Sequence, residues 1–180
     1  MKSKISKEHR FNVVIIWIFS LVLLFAAYGA DGLQYAMKAG IAMFSLSIII
    51  SIIALLPIND FVKSVTIPLL TALGALGLSI VSGGVERMFN IYLLSLCLAT
   101  VYFNRKILLT FSVIFLTILV GTYIVSPVSV MGPDNNIGNF IARIGVFICA
   151  IAVLYNLTKW GRELINKSQS EEAIARESLN

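Results

Sequence analysis

The residues of this chain that could do chemistry are few, and what they offer is charge. Asp31, Lys38, Glu86, Arg87 and Arg143 come from separate parts of the sequence, yet each falls within about one helical turn of the same side of an apolar stretch. With Asp134 they make three acids and three bases. Charge below a membrane interface is costly, so such groups snorkel, pair or line a polar cavity. Two readings stay open: interfacial anchors that pair with one another, or a shared recess for an external ligand.

Other chemistries lack their residues. The only histidine, His9, precedes the first apolar stretch, which leaves no histidine inside the stretches for haem ligation, a Ser-His dyad or a metal site. Cys97 and Cys149 are far apart, without metal-ligand spacing, and are best read as small apolar packing residues. Gly74, Gly77, Gly83 and Gly84 come nearest to a phosphate-cradling loop, but no Lys-Ser/Thr follows them. The expectation is a chain that is not an enzyme and takes no metal or cofactor.

The elements that must position these charges are six apolar stretches, running from Phe11 to Ala30, Ala36 to Leu56, Val65 to Ser82, Glu86 to Phe103, Ile107 to Val125 and Phe140 to Leu157. Each is about 18 to 21 residues, or about 27 to 32 Å as a helix, which matches a hydrocarbon core of about 30 Å. Backbone amides find no water there and must pair inside each segment. Strand alternation is nowhere sustained. The expected fold class is all-α, a polytopic integral membrane protein with six transmembrane helices and a short cytoplasmic helix continuing from the sixth.

Basic residues in short loops resist translocation, and eleven of the fourteen lie on one side of the stretches. They are Lys2, Lys4, Lys7 and Arg10, then Lys63, then Arg105 and Lys106, then Lys159, Arg162, Lys167 and Arg176; only Lys38, Arg87 and Arg143 face the other side. Both termini are therefore expected in the cytoplasm. Tyr102, Tyr155 and Trp160 mark the inner interface, and Tyr28, Tyr35 and Tyr123 the outer one. The first apolar run is too long for a typical signal-peptide core, so it is expected to remain as a helix.

Residues spaced by three or four suggest packing ridges: Thr71, Ala75, Ser79 and Gly83; Ala36 and Gly40; and Ala142, Gly145, Cys149 and Ala152. Pro68 is placed in the first turn of the third helix, where its missing N–H is harmless. The longest outer loop, Ser126 to Asn139, carries the turn composition Gly132-Pro133-Asp134-Asn135-Asn136. It is too short for a folded sensor domain, but it could cover a recess.

The domain plan is a basic cytoplasmic tail over residues 1–10, a transmembrane domain over 11–158, and the start of a signalling helix over 159–180. From Arg162 to Asn180 there is neither proline nor glycine, and Glu163 with Lys167 and Glu172 with Arg176 form acid-first i,i+4 pairs. Such a segment reads as the first turns of a longer cytoplasmic helix, which points to a truncated or split parent, or to a membrane part working beside another polypeptide. Gly161 is the weak point, a residue that could act as a joint.

The run Leu154 to Ile165, into that charged helix, resembles the junction in a subset of bacterial methyl-accepting chemotaxis receptors whose membrane part has six helices. Gly83 to Phe89 and Asn104 to Leu109 are similar to the region from the third to the fifth helix of those proteins. The resemblance implies a homodimeric sensory input module in the bacterial cytoplasmic membrane. A histidine kinase and adaptor would be reached only through a longer parent chain or partner, because the methylation helices and kinase-contacting tip are absent. It marks Glu86, Arg87 and the junction of Lys159, Trp160, Gly161, Arg162 and Glu163 as functional positions. The partners expected are the lipid bilayer and signalling proteins, with no nucleic acid. A small multi-pass transporter is the alternative, but neither an internal repeat nor charged helix centres favour it.

Overall fold

The computed structural model describes residues 7–84, 88–133 and 136–177, with the backbone alone at residues 30, 31 and 172–177. All regular structure among these residues is helical. We label the helices α1 Lys7–Gly29, α2 Gly32–Leu55, α3 Asp60–Val81, α4 Met88–Thr100, α5 Arg105–Val125, α6 Pro127–Met131 and α7 Ile137–Glu177. Five of them, α1, α2, α3, α5 and α7, are long and apolar enough to cross a membrane. Their length and composition suit a multi-pass membrane protein.

Asparagine side chains set three of the helix starts. Asn59 Oδ1 accepts from Phe61 N at 2.8 Å, Asn104 Oδ1 from Lys106 N at 3.0 Å, and Asn136 Oδ1 from Gly138 N at 2.7 Å. Each satisfies an amide that the first turn leaves without a backbone partner. The Asn59 cap starts α3 at Asp60, earlier than expected from Val65. Lys63 consequently belongs to the helix rather than to a loop, and Pro68 lies more than two turns inside, where α3 continues through it. The first helix also begins early, at Lys7, so residues 7–10 of the expected tail are helical.

The fourth stretch departs most from a membrane-length helix. Of the expected Glu86 to Phe103, α4 is described over Met88–Thr100, 13 residues or about 20 Å; the expected start at Glu86 lies outside the described residues, and the helix ends before Phe103. It ends because Phe103 takes a left-handed conformation, φ 46°, that no helix accommodates and that turns the chain into the Asn104 cap.

α1 and α2 form a hairpin about Gly32, whose φ of 78° favours glycine. Polar groups tie its two arms inside apolar surroundings. Trp17 Nε1 donates to Ser51 Oγ at 3.1 Å, and the Ser20 and Ser47 hydroxyls lie 2.8 Å apart. At the Gly32 end, here the far end, Gly84 lies so close to the Val128 carbonyl and Gly132 that a side chain there would collide with backbone. Ser79 Oγ donates to Ser129 O at 2.8 Å beside it. The loop after α5 thus caps the bundle, with Val130 and Met131 of α6 fully buried.

The main core lies between α3, α4, α5 and α7. Tyr92, Phe111, Phe115 and Phe147 fill it, with Tyr92 and Phe115 at 5.0 Å and Phe115 and Phe147 at 5.7 Å between ring centroids. Thr71, Ala75 and Ser79 face this interior, as their four-residue spacing implies, whereas Gly83, the expected fourth member of the ridge, lies beyond the end of α3 at a φ of 74° and is exposed. Ala142, Gly145, Cys149 and Ala152 do not; this ridge is exposed on α7 and contacts no other helix of the chain closely enough to be covered.

Candidate functional site

At the near end, opposite Gly32, the turn from α4 to α5 grips both the first and the last helix. The Tyr102 hydroxyl lies 3.0 Å from His9 Nδ1 of α1, with the two rings 5.3 Å apart. The next residue, Phe103, lays its ring over Gly161 of α7, close enough that a Cβ on Gly161 would collide with it. Arg162 Nη1 donates to the Phe103 carbonyl at 3.5 Å. Arg105, in the first turn of α5, donates to the Tyr155 hydroxyl at 3.3 Å and stands 5.3 Å from the centre of that ring. Three residues of this four-residue stretch, Tyr102, Phe103 and Arg105, thus reach α1 and three positions of α7.

This geometry changes the meaning of Gly161. The residue is helical within an unbroken α7, so it is not a joint. Its missing side chain makes room for Phe103. Of the other junction residues, Arg162 shares the contact, whereas Lys159, Trp160 and Glu163 are exposed. The expected Glu163–Lys167 pair is not formed; Lys167 instead lies 4.0 Å from Glu171. The carboxylate then follows the lysine in sequence, the less favourable order along the helix dipole. Glu172 and Arg176 lie where side chains are outside the described part.

Behind the turn lies a group of buried polar side chains. His9, Asn12, Lys63 and Ser64 are all nearly inaccessible to solvent. His9 Nε2 is 3.7 Å from Asp60 Oδ1, Lys63 Nζ is 4.0 Å from the same oxygen, and Lys63 Nζ donates to Ala54 O at 3.5 Å. Asn12 Nδ2 donates to Leu98 O at 3.1 Å. Leu98 is in the last turn of α4, where carbonyls lack intrahelical partners, so Asn12 caps α4 from another helix. Asp60 is largely exposed, and its ion pairs are correspondingly weak. Burial pushes the Tyr102 hydroxyl up to about 12, so it keeps its proton throughout the neutral range.

Sequence reasoning placed His9 in a solvated tail and Lys63 in a loop, and so missed this group. A signal was available: His9 with Asn12, and Asp60 with Lys63, are i,i+3 pairs, which put two polar groups on one helical face.

The outer charges do not gather into one recess as far as they are described. Glu86, Arg87 and the Asp31 side chain lie outside the described residues. Lys38 lines a groove of about 640 Å³ between α2 and α3, whereas Arg143 lines another of about 450 Å³ between α4 and α7. Arg143 also sets its guanidinium carbon 4.8 Å from the centre of the Phe89 ring. These two cations therefore belong to different surfaces. Among the described residues, no three His, Cys, Asp or Glu side chains come together as metal ligands. No protein-family model, curated protein or solved structure matches this chain.

Proposed function

We propose that this chain is a membrane-embedded sensory module that passes a change in its helical bundle to a cytoplasmic helix through α7. The observation that carries this reading is the unbroken run of α7 from Ile137 to Glu177, clasped by Phe103 and Arg105 where it leaves the bundle. A continuous helix transmits a small rotation or shift, whereas a flexible joint absorbs it. The clasp ties that helix to α1, α4 and α5, so movement among those helices reaches it.

In this proposal the protein sits in a bacterial cytoplasmic membrane with both termini inside, supported by the eleven-to-three distribution of basic residues. A homodimer is supported by the exposed small-residue ridge of α7. The likeness of the Leu154 to Ile165 junction to chemotaxis receptors supports an output through a histidine kinase and adaptor. That part of the reading rests on sequence alone.

The experiment is a fusion of residues 1–180 to a chemoreceptor cytoplasmic domain, with kinase activity as readout. Three glycines inserted between Arg162 and Glu163 should abolish control of the kinase by the membrane part while leaving membrane insertion intact. Unchanged control would sink the continuous-rod mechanism.

A further inference from the structure

The groove between α2 and α3 is charged and polar at one end and mostly apolar along the rest. At the far end the Tyr35 and Ser82 hydroxyls lie 3.2 Å apart and bridge the two helices. Lys38 stands one turn along, exposed, and no carboxylate pairs with it among the described residues. From there the walls are mainly Ala42, Leu46, Ile49, Gly77 and Leu78, with the Ser45 hydroxyl the polar exception. Tyr35 to Ile49 spans about 21 Å of helix, longer than the roughly 15 Å depth of one leaflet.

Two glycines on α3 border this space differently. Gly74 is filled from α2, because Leu46 occupies the place of its missing side chain. At Gly77 a Cβ would meet nothing within 4 Å. A glycine inside a helix costs about 1 kcal/mol relative to alanine, and no backbone approach or left-handed conformation requires one here. Its missing side chain serves no atom of this chain. It does keep the groove open, and about 640 Å³ is within the range of small-molecule sites.

We infer that this groove binds an anionic phospholipid, with one acyl chain along Gly77 and the phosphate held by Lys38 and the Tyr35 and Ser82 hydroxyls. The polarity argues for a lipid over a helix of a second copy. A lipid phosphate supplies, at the headgroup level, the opposite charge that Lys38 lacks among the described residues, and its acyl chain meets hydrocarbon walls below. Lys38 selects the anionic headgroup because a zwitterionic lipid carries its own cation beside the phosphate. The inference is independent of signalling and holds whether or not α7 conveys an output.

Native mass spectrometry of the detergent-purified full chain tests it, with dioleoyl phosphatidylglycerol and dioleoyl phosphatidylcholine added at equal concentrations. Wild type should retain the anionic lipid about fivefold more, the ratio expected for one lysine worth about 1 kcal/mol near an anionic surface. Lys38→Gln should bring the ratio to about one. Gly77→Leu should cut retention of both lipids, while thermal unfolding in lipid-free detergent is unchanged or shifted upward. Equal retention by wild type, or retention unaffected by Gly77→Leu, overturns the inference. Preference for oleic acid over phosphatidylglycerol, lost in the same variants, would overturn the assignment to a phospholipid. A change in dimer content with unaltered lipid retention on Gly77→Leu would give the groove to a second copy instead.

Discussion

Gly161 and Phe103 show how one position can carry opposite expectations. On helix propensity alone, Gly161→Ala should stabilise α7 by about 1 kcal/mol. The Phe103 ring reverses the sign, because a Cβ at 161 collides with it and forces the clasp to shift. Overpacking of this kind costs about 1–3 kcal/mol. Gly161→Ala should therefore lower the thermal unfolding midpoint of the purified protein, yet raise it in a Phe103→Ala background. Additive effects in the double-mutant cycle would show that the ring and the glycine do not interact. The left-handed Phe103 adds a local cost, since non-glycine residues rarely adopt that conformation.

At the scale of the element, α4 is the helix least able to stand alone. Its 13 described residues span about 20 Å, and Phe103 ends it before Asn104. Its last turn depends on Asn12, which donates to Leu98 O from a different helix and is completely buried. Replacing Asn12 by leucine keeps the volume and removes the donor. The buried carbonyl is then without a partner, at a cost of about 1–3 kcal/mol. Denaturant unfolding of Asn12→Leu should show that loss, and an unchanged midpoint would mean that the carbonyl finds another donor. α7 is the opposite case. Its apolar part packs against α4 and α5, whereas residues 162–171 are exposed on every side. Isolated helices of that length are marginal in water, so a partner helix is the natural source of stability there.

For the whole molecule, the exposed ridge of Ala142, Gly145, Cys149 and Ala152 offers a surface on which a second copy's backbone can approach closely. Cys149 lies on that ridge and Cys97 on α4, both free and exposed. In membranes, mild oxidation of Cys97→Ser should give a disulfide-linked dimer through Cys149, and Cys149→Ser should not. The reverse pattern would move the proposed dimer to α4. Topology is tested separately by reporters fused at either end of the chain, which should both report the cytoplasm. An external signal from either end would reverse or break the arrangement inferred from the basic residues.

The helical class and the apolar stretches were legible in the sequence, because an apolar run of about 20 residues has one economical backbone solution in lipid. The packing ridge through Thr71, Ala75 and Ser79 was legible for a related reason: four-residue spacing fixes a common face whatever the neighbours are. Spacing could not say which ridge would be covered. Thr71 is buried in the bundle and Gly145 is not, a choice made by the arrangement of helices in space. The clasp was equally out of reach. Phe103 and Gly161 are 58 positions apart, and His9 and Tyr102 are 93 apart; nothing local in either member of a pair encodes the other. Local sequence determines which segments become helices and where their caps fall. Only tertiary structure decides which end of one helix lies beside another, and so turns a glycine that reads as a joint into a seat for an aromatic ring.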